Sequence, residues 1–248
     1  MFSFFNKSKE RIKLPVTTDI HCHVVPGIDD GSPDAKTSAN LIEQMQQWGI
    51  NRILATPHVT KITFENSLST IQPAMGKLKA ELAKRGNDIA IDHAAEYRID
   101  ELLAQNIAAD TLMTYPGNYI LIENSFMQEP WNIKDLVFDL QMKGLTPVLA
   151  HPERYAYYYK RKERLNELHE AGLLLQINVL SLAEAYGKAE RKMAEYLMKE
   201  NLVDFIGTDL HRQSHVEAIN KYLESKNAHK DFDNLAGRLL NDKVFPLR

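Results

Sequence analysis

Cysteine is almost missing from the chain: Cys22 stands alone, so no intramolecular disulfide framework is available and the core has to hold the fold. No apolar run approaches the roughly 20 residues that a membrane helix requires. The opening "MFSFFNKSKERIKLP" has too short an apolar stretch before its charges to be a secretory signal. An excess of charge is lacking too. Lys+Arg 30 against Asp+Glu 33 leaves a formal charge of -3, which gives no global attraction to nucleic acid or to an anionic membrane surface. With no linker, internal repeat or low-complexity segment, the reading is a reduced, cytoplasmic globular protein without membrane insertion. Its 248 residues suit one large domain, residues 16–248, after a short N-terminal extension, residues 1–15.

What is present is an alternation of short β-branched runs with longer helical patterns. The strand candidates are "VTTDIHCH", "NRILATPH", "IAIDHAAEY", "NYILIENS", "TPVLAHPER", "LLLQINVLS" and "VDFIGTDLH", each bounded by Gly, Pro, Asn or Asp. Between them lie helix candidates: "SPDAKTSANLIEQMQQWG", "ENSLSTIQPAMGKLKAELAKRG", "WNIKDLVFDLQMKG", "KRKERLNELHEAG" and "AEAYGKAERKMAEYLMKEN". Strand and helix in turn predict parallel strands with crossover helices, an α/β fold. In such folds the reactive site lies at the carboxyl ends of the strands. Six of these runs end in groups that bind metals.

His21 and His23 are two apart on a strand, so their imidazoles share a face while Cys22 points to the other and reads as a small core residue. Taken alone, such a pair is as often incidental as ligating. Asp29 and Asp30 follow the Pro26-Gly27 turn, where aspartates commonly bond their own backbone. Here the turn hangs over the strand carrying the two histidines, so one carboxylate is placed to face an ion. His58 in "ATPH" and His151 in "LAHPER" follow apolar strands, each beside a proline that stops the strand. Glu96 in "AAEY" and Glu123 in "LIEN" are carboxylates at strand ends, costly there unless paired or metal-bound. Asp209 and His211 in "GTDLH" close the set. His21, His23, Asp30, His58, Glu96, Glu123, His151, Asp209 and His211 exceed the needs of one ion, which points to a cluster with bridging carboxylates. Imidazole and carboxylate without thiolate suit Mn, Fe or Zn. Arg154, just past His151, suits phosphate oxygens through its fixed donor fork; otherwise it is a surface ion pair. Cys22 is no phosphatase nucleophile, because a Cys-x5-Arg loop needs arginine where Ile28 stands.

Together, "DIHCHVVPGIDDG", "ATPH", "AAEY", "LIEN", "AHPERY" and "GTDLH", in order from Asp19 to His211, resemble the polymerase and histidinol phosphatase (PHP) superfamily, and more closely its capsule-operon tyrosine phosphatases of the CpsB/CapC type. The resemblance implies a distorted (β/α)7 barrel of the PHP type with three divalent metal ions, most often Mn2+, with Fe or Zn as alternatives. One ion would take His21, His23, Glu96 and Asp209. A second would share Glu96 and take Glu123 and His151, and the third would take Asp30, His58 and His211. Arg154 matches the family's phosphate-binding, catalytic arginine. The implied activity is hydrolysis of phosphotyrosine, and the implied partner is the phosphotyrosine tail of a bacterial tyrosine kinase that controls capsule or exopolysaccharide synthesis.

The sequence departs from the family pattern at Asn124-Ser125, where an apolar or proline-containing continuation is usual, and in residues 1–15, which read either as a docking arm or as disorder. Arg212 and His215 are unmatched candidates for substrate binding and proton transfer. A histidinol phosphatase would share the metal ligands. A non-catalytic metal-bound scaffold predicts a lost ligand, and none is missing. An amidohydrolase wants a lysine at a middle strand end, where Glu123 stands instead. The tyrosines of "RYAYYYKRKER" are expected to pack as the start of a helix rather than to meet substrate, and "ERKMAEYLMKE" to form a core face.

Overall fold

The computed structural model describes residues 11–246. Of the N-terminal extension, residues 1–10 lie outside the described residues. Residues 11–15 pack on the domain: the Ile12 N–H donates to the Leu223 carbonyl, the Leu14 N–H donates to the Trp48 carbonyl, and Leu14 is buried.

The strands are β1 (Thr18–Asp19), β2 (Arg52–Ala55), β3 (His58–Val59), β4 (Ala90–His93), β5 (Glu96–Arg98), β6 (Tyr119–Glu123), β7 (Thr146–Ala150), β8 (Leu174–Asn178) and β9 (Phe205–Gly207). Every paired neighbour is parallel, in a sheet of order β1-β2-β4 and a second of order β3-β5-β6-β7-β8-β9. The two sheets are one interrupted surface. β2 continues into β3 across Thr56-Pro57, and β4 continues into β5 across Ala94-Ala95. Across those breaks the Ala94 N–H donates to the Ala55 carbonyl and the Glu96 N–H to that of Pro57. At the far edge Cys22 bridges Leu210 in parallel, with the Asp209 N–H on the His21 carbonyl at 2.7 Å and the His23 N–H on that of Leu210 at 3.0 Å. The first track therefore pairs with the last. The seven expected strand runs form a closed, distorted ring, one composite track each.

The helices α1 (Ala35–Gln47), α2 (Leu68–Lys84), α3 (Glu101–Ala109), α4 (Ile133–Met142), α5 (Glu163–Glu170), α6 (Val179–Leu182), α7 (Lys188–Lys199), α8 (Gln213–Leu223), α9 (Lys226–Leu235) and α10 (Asn241–Val244) cover the ring. Asp34 caps α1 by accepting the Thr37 N–H, and Gly49, with φ +94, ends it in the left-handed conformation that glycine tolerates. Three expectations change. "VTTDIHCH" keeps only two residues of regular strand, because the Asp19 carboxylate accepts the N–H groups of His21 and Thr208 and so replaces ladder bonds. "VLS" of "LLLQINVLS" is the helical turn α6, since β8 stops at Asn178. The predicted helix "AEAYGKAERKMAEYLMKEN" begins only after Gly187, and Met193, Ala194, Leu197 and Met198 then form the expected core face.

Strand alternation sorts the apolar residues into two cores. Ile20, Leu54, Ala94, Leu121, Val148, Ala150 and Phe205 fill the ring interior, while Ile53, Ile122, Leu149 and Cys22 face the helices. Phe245 plugs the interior from below against Tyr115, Tyr119 and Phe205.

That lower end is tied by α10. Asp242 accepts the N–H groups of Thr17 and Thr18. Asn241 donates to the carbonyls of Thr18 and Ile206 and accepts the Ile206 N–H, so it spans the seam between the first and last tracks. Asn241→Ala leaves three buried backbone groups unpaired. It is expected to cost about 3 kcal/mol and to lower Tm by about 6–12 °C in thermal denaturation. A shift within a degree or so would mean the seam does not depend on this side chain.

Candidate metal centre

All the residues singled out from the sequence at the strand ends meet at the upper, carboxyl end of the ring. Glu96 is the hub. Its Oε2 lies 3.0 Å from His58 Nδ1 and 3.4 Å from the Nε2 atoms of both His21 and His23, and its Oε1 lies 3.1 Å from His151 Nε2. Four groupings offer ligand atoms within 4.8 Å of one another: His23, Asp30, His58 and His211; His21, His23 and Glu96; His21, His151 and Asp209; and His58, Glu96 and Glu123. Glu123 Oε1 also stands 3.5 Å from His151 Nε2. The cavity above them, about 280 Å³, is lined among others by Asp30, His58, Glu123, His151, Arg154 and His211.

Local backbone geometry aims these groups. Glu96 and Glu123 share the inward parity of Ala94 and Leu121 on their strands. His151 would point outward by that parity, but its φ of +36 turns it in just before Pro152, and Asp209 is likewise left-handed at φ +51. Non-glycine residues rarely adopt this region, and both are strand-end ligand candidates. Two glycines make room. A Cβ on Gly31 would meet the His23 carbonyl at 2.2 Å, and one on Gly207 would meet His21 Cβ at 2.5 Å.

A second layer fixes the rings. Asp29, not Asp30, orients His23: its Oδ2 is 2.9 Å from His23 Nδ1 and also accepts the His58 N–H. Asp30 Oδ1 lies 3.5 Å from His58 Nε2 and 3.6 Å from His211 Nε2. Gln176 Oε1 is 2.7 Å from His21 Nδ1, so His21 donates there and turns Nε2 to the cavity. Asp209 Oδ2 accepts Asn178 Nδ2, the Tyr186 hydroxyl and Arg154 Nη1, which leaves Oδ1 facing His21, His23 and His211. Glu153, wholly buried, in turn accepts the Asn178 N–H and the Ser181 hydroxyl.

So many buried ionisable groups move one another's protons. Burial alone would lower the His21 imidazolium, but the charges of Glu96 and Asp209 outweigh it and hold it up at about 9. His151 is pushed down to about 4 by burial and by Arg154. Glu123 rises to about 7 through burial and the neighbouring charge of Glu96. Among the described residues, Glu96 Oε2, Glu123 Oε2, His58 Nδ1 and His151 Nδ1 are buried with no aligned hydrogen-bond partner. Orphaned acceptors in a nest of imidazole and carboxylate fit hard or borderline divalent cations.

Arg154 rises over this nest and packs on two rings, with Phe126 at 5.0 Å and Tyr186 at 4.1 Å from its guanidinium carbon. Arg212 and His215 also line the cavity. The His211 N–H points to His215 Nδ1 at 3.4 Å, which assigns the ring proton to Nε2, and burial with His211 and Arg212 nearby lowers His215 to about 4. Asn124 is explained by its neighbours: its N–H donates to the Tyr155 hydroxyl and its Nδ2 to that of Tyr158. Tyr155 and Tyr158 are buried, so the tyrosine run does pack, as a short 3-10 turn ahead of α5. Cys22 is fully buried in the outer core. Sequence reasoning missed Gln176, Asn178, Tyr186, Arg98 and Phe126. Only Gln176 and Asn178 left a signal, as polar residues two apart inside an apolar strand.

The family model for capsular polysaccharide synthesis, CpsB/CapC, matches residues 17–238. The tyrosine-protein phosphatase YwqE of Bacillus subtilis (strain 168) is 34% identical over 194 residues, covering 78% of this chain and 76% of YwqE. The tyrosine-protein phosphatase CpsB of Streptococcus pneumoniae is 31% identical over 202 residues, covering 78% and 82%. A solved structure from work on YwqE of B. subtilis and CpsB of S. pneumoniae, described as unique metal-dependent tyrosine phosphatases, matches with a TM-score of 0.76 at 30% identity, over 90% of this chain and 95% of that one. The histidinol phosphate phosphatase of Lactococcus lactis matches in fold, with a TM-score of 0.52 at 16% identity over 84% and 92% of the two chains.

Gln176→Leu removes the acceptor that orients His21. It is expected to weaken divalent-cation binding about 10–100-fold, read by titration calorimetry on chelator-stripped protein. Unchanged affinity would show that His21 needs no such support.

Proposed function

The chain belongs to the CpsB/CapC family of capsular polysaccharide synthesis, and from that we propose that it is a metal-dependent protein-tyrosine phosphatase. The observation that carries the reading is the nest around Glu96, capped by Arg154, in a chain whose relatives are named tyrosine phosphatases. We assign three divalent ions, Mn2+ first among them, to His21, His23, Asp30, His58, Glu96, Glu123, His151, Asp209 and His211, with Glu96 shared. When bound, such ions make water acidic enough to act as a nucleophile near neutral pH and offset charge on phosphoryl oxygens.

The protein's own residues do the rest. Arg154 packs against two aromatic rings, so its donor fork meets the phosphoryl oxygens with little further ordering. Its present partner, Asp209 Oδ2, keeps the Asn178 and Tyr186 donors when the guanidinium turns to substrate. The leaving phenolate, with a pKa of about 10, needs less protonation than an alkoxide. His215 is neutral near pH 7 and offers its Nε2–H as a hydrogen bond to that oxygen; Arg212 adds positive charge at the same rim. The substrate that fits the family is the phosphorylated tyrosine-rich tail of a bacterial kinase governing capsule or exopolysaccharide assembly. Among the described residues no helix is long and apolar enough to cross a membrane. The cytoplasm, where bacterial kinase tails are phosphorylated, is the compartment we propose for the reaction.

Phosphate release from a phosphotyrosine peptide and from histidinol phosphate, side by side on stripped protein restored with manganese, tests the reading. Fast, metal-dependent turnover of the peptide is expected, falling about 10²–10³-fold in Arg154→Ala. Preference for histidinol phosphate would reassign the substrate, and no turnover of either would end the enzymatic reading. A second outcome follows from the proton that Glu96 and Asp209 hold on His21, with its pKa of about 9. Ion binding must displace it, so affinity should rise as pH climbs toward that value and level off above it. Calorimetry in two buffers of different ionisation enthalpy reads the released protons. No proton release below pH about 9 would remove His21 from the ligand set.

A further inference from the structure

Arg98 has no part in the assignments above, yet it lines the same cavity. It lies two residues past Glu96 on β5, so both side chains leave the strand on one face. Its Nε stands 2.8 Å from Glu123 Oε2, but both atoms are buried without an aligned hydrogen bond. The guanidinium carbon sits 5.6 Å from the Phe126 ring centroid, and that of Arg154 sits 5.0 Å from the same centroid. Phe126 itself stacks near-parallel on His151 at 5.8 Å and remains 40% exposed. Two guanidiniums therefore approach one ring at the rim of the nest.

We propose that Arg98 is a second phosphoryl-binding arginine, lining the same cavity as Arg154 and sharing the Phe126 ring with it. The inference rests on the phosphatase reading for the identity of the ligand. Among the described residues Glu123 is the one carboxylate paired with Arg98, through Oε2, while its Oε1 faces the nest, so a cation bound there would draw on the charge that now offsets Arg98. A partly buried guanidinium then faces a cation-rich cavity. The group that restores the balance is a dianion entering that cavity, and Arg98 presents it a planar donor fork. Phe126 limits how far either arginine swings, so the phosphoryl group is gripped from two sides rather than attracted by loose charge.

The test uses the full chain loaded with manganese, with inorganic phosphate as the probe. Isothermal calorimetry reads phosphate affinity, and elemental analysis reads bound metal per chain. Arg98→Ala is expected to weaken phosphate binding at least 10-fold, to raise KM for a phosphotyrosine peptide more than it lowers kcat, and to keep the metal count. Added free guanidinium should restore part of the affinity. Arg98→Lys keeps a point charge without the fork and should fall between, which covers the case of an alanine variant that folds poorly. Unchanged phosphate affinity in both variants would overturn the inference. So would loss of metal with unaltered phosphate affinity per loaded chain, since Arg98 would then only support Glu123. If the wild type binds phosphate through Arg98 yet releases none from any phosphotyrosine peptide, the phosphatase reading fails and the anion site stands.

Discussion

Glu96 is wholly buried, and four imidazoles reach it from three different tracks of the ring: His21 and His23 from the first, His58 from the second and His151 from the fifth. A carboxylate taken out of water that far is tolerable only if positive charge surrounds it. That requirement ties chemistry to architecture, because the compensating groups arrive together only when the strands have closed into one surface. The breaks in regular structure, at Asp19, at Thr56-Pro57 and at Ala94-Ala95, sit directly below the nest. They allow backbone that would otherwise continue a ladder to turn ligands inward.

The molecule separates holding from acting. At the lower end Asn241, Asp242 and Phe245 stitch and plug the ring with neutral amides, one carboxylate and stacked aromatics. At the upper end nearly every side chain is ionisable, and the second layer of Asp29, Gln176, Asn178 and Glu153 serves only to decide which atom of each ligand faces inward. This is the division that parallel ring folds favour, with stability below and reactivity at the carboxyl ends of the strands.

Much of this was legible in the amino-acid sequence. The seven β-branched runs and the polar residues closing them predict parallel strands and the convergence at one end, since strand ends in such folds share one face; closure into a ring was implied only by the family resemblance. The helices α3, α8, α9 and α10 were not anticipated. α10 is four residues long, α3 buries little beyond Leu103, and the polar faces of α8 and α9 resemble loop sequence until their apolar sides are packed. Roles within the site were less legible than membership of it. Asp29 and Asp30 are neighbours of the same type, and only the folded turn shows that the first orients His23 while the second faces the cavity. Arg98 carried no signal because its position beside Phe126 joins segments that are distant in sequence.

Ring closure across Cys22 and Leu210 also sets an order of events. His21 and His211 stand near opposite ends of the chain, so in the unfolded state their encounter requires a loop of most of its length, with an entropy cost that rises logarithmically with that length. Contacts of such sequence separation form late and slowly. A cation gripped across this seam would join the two ends without a covalent bond, adding stability by mass action only once the fold exists. During synthesis the first strand must wait, unpaired on one side, until the last has emerged. A nascent chain therefore carries its ligands long before it carries a site.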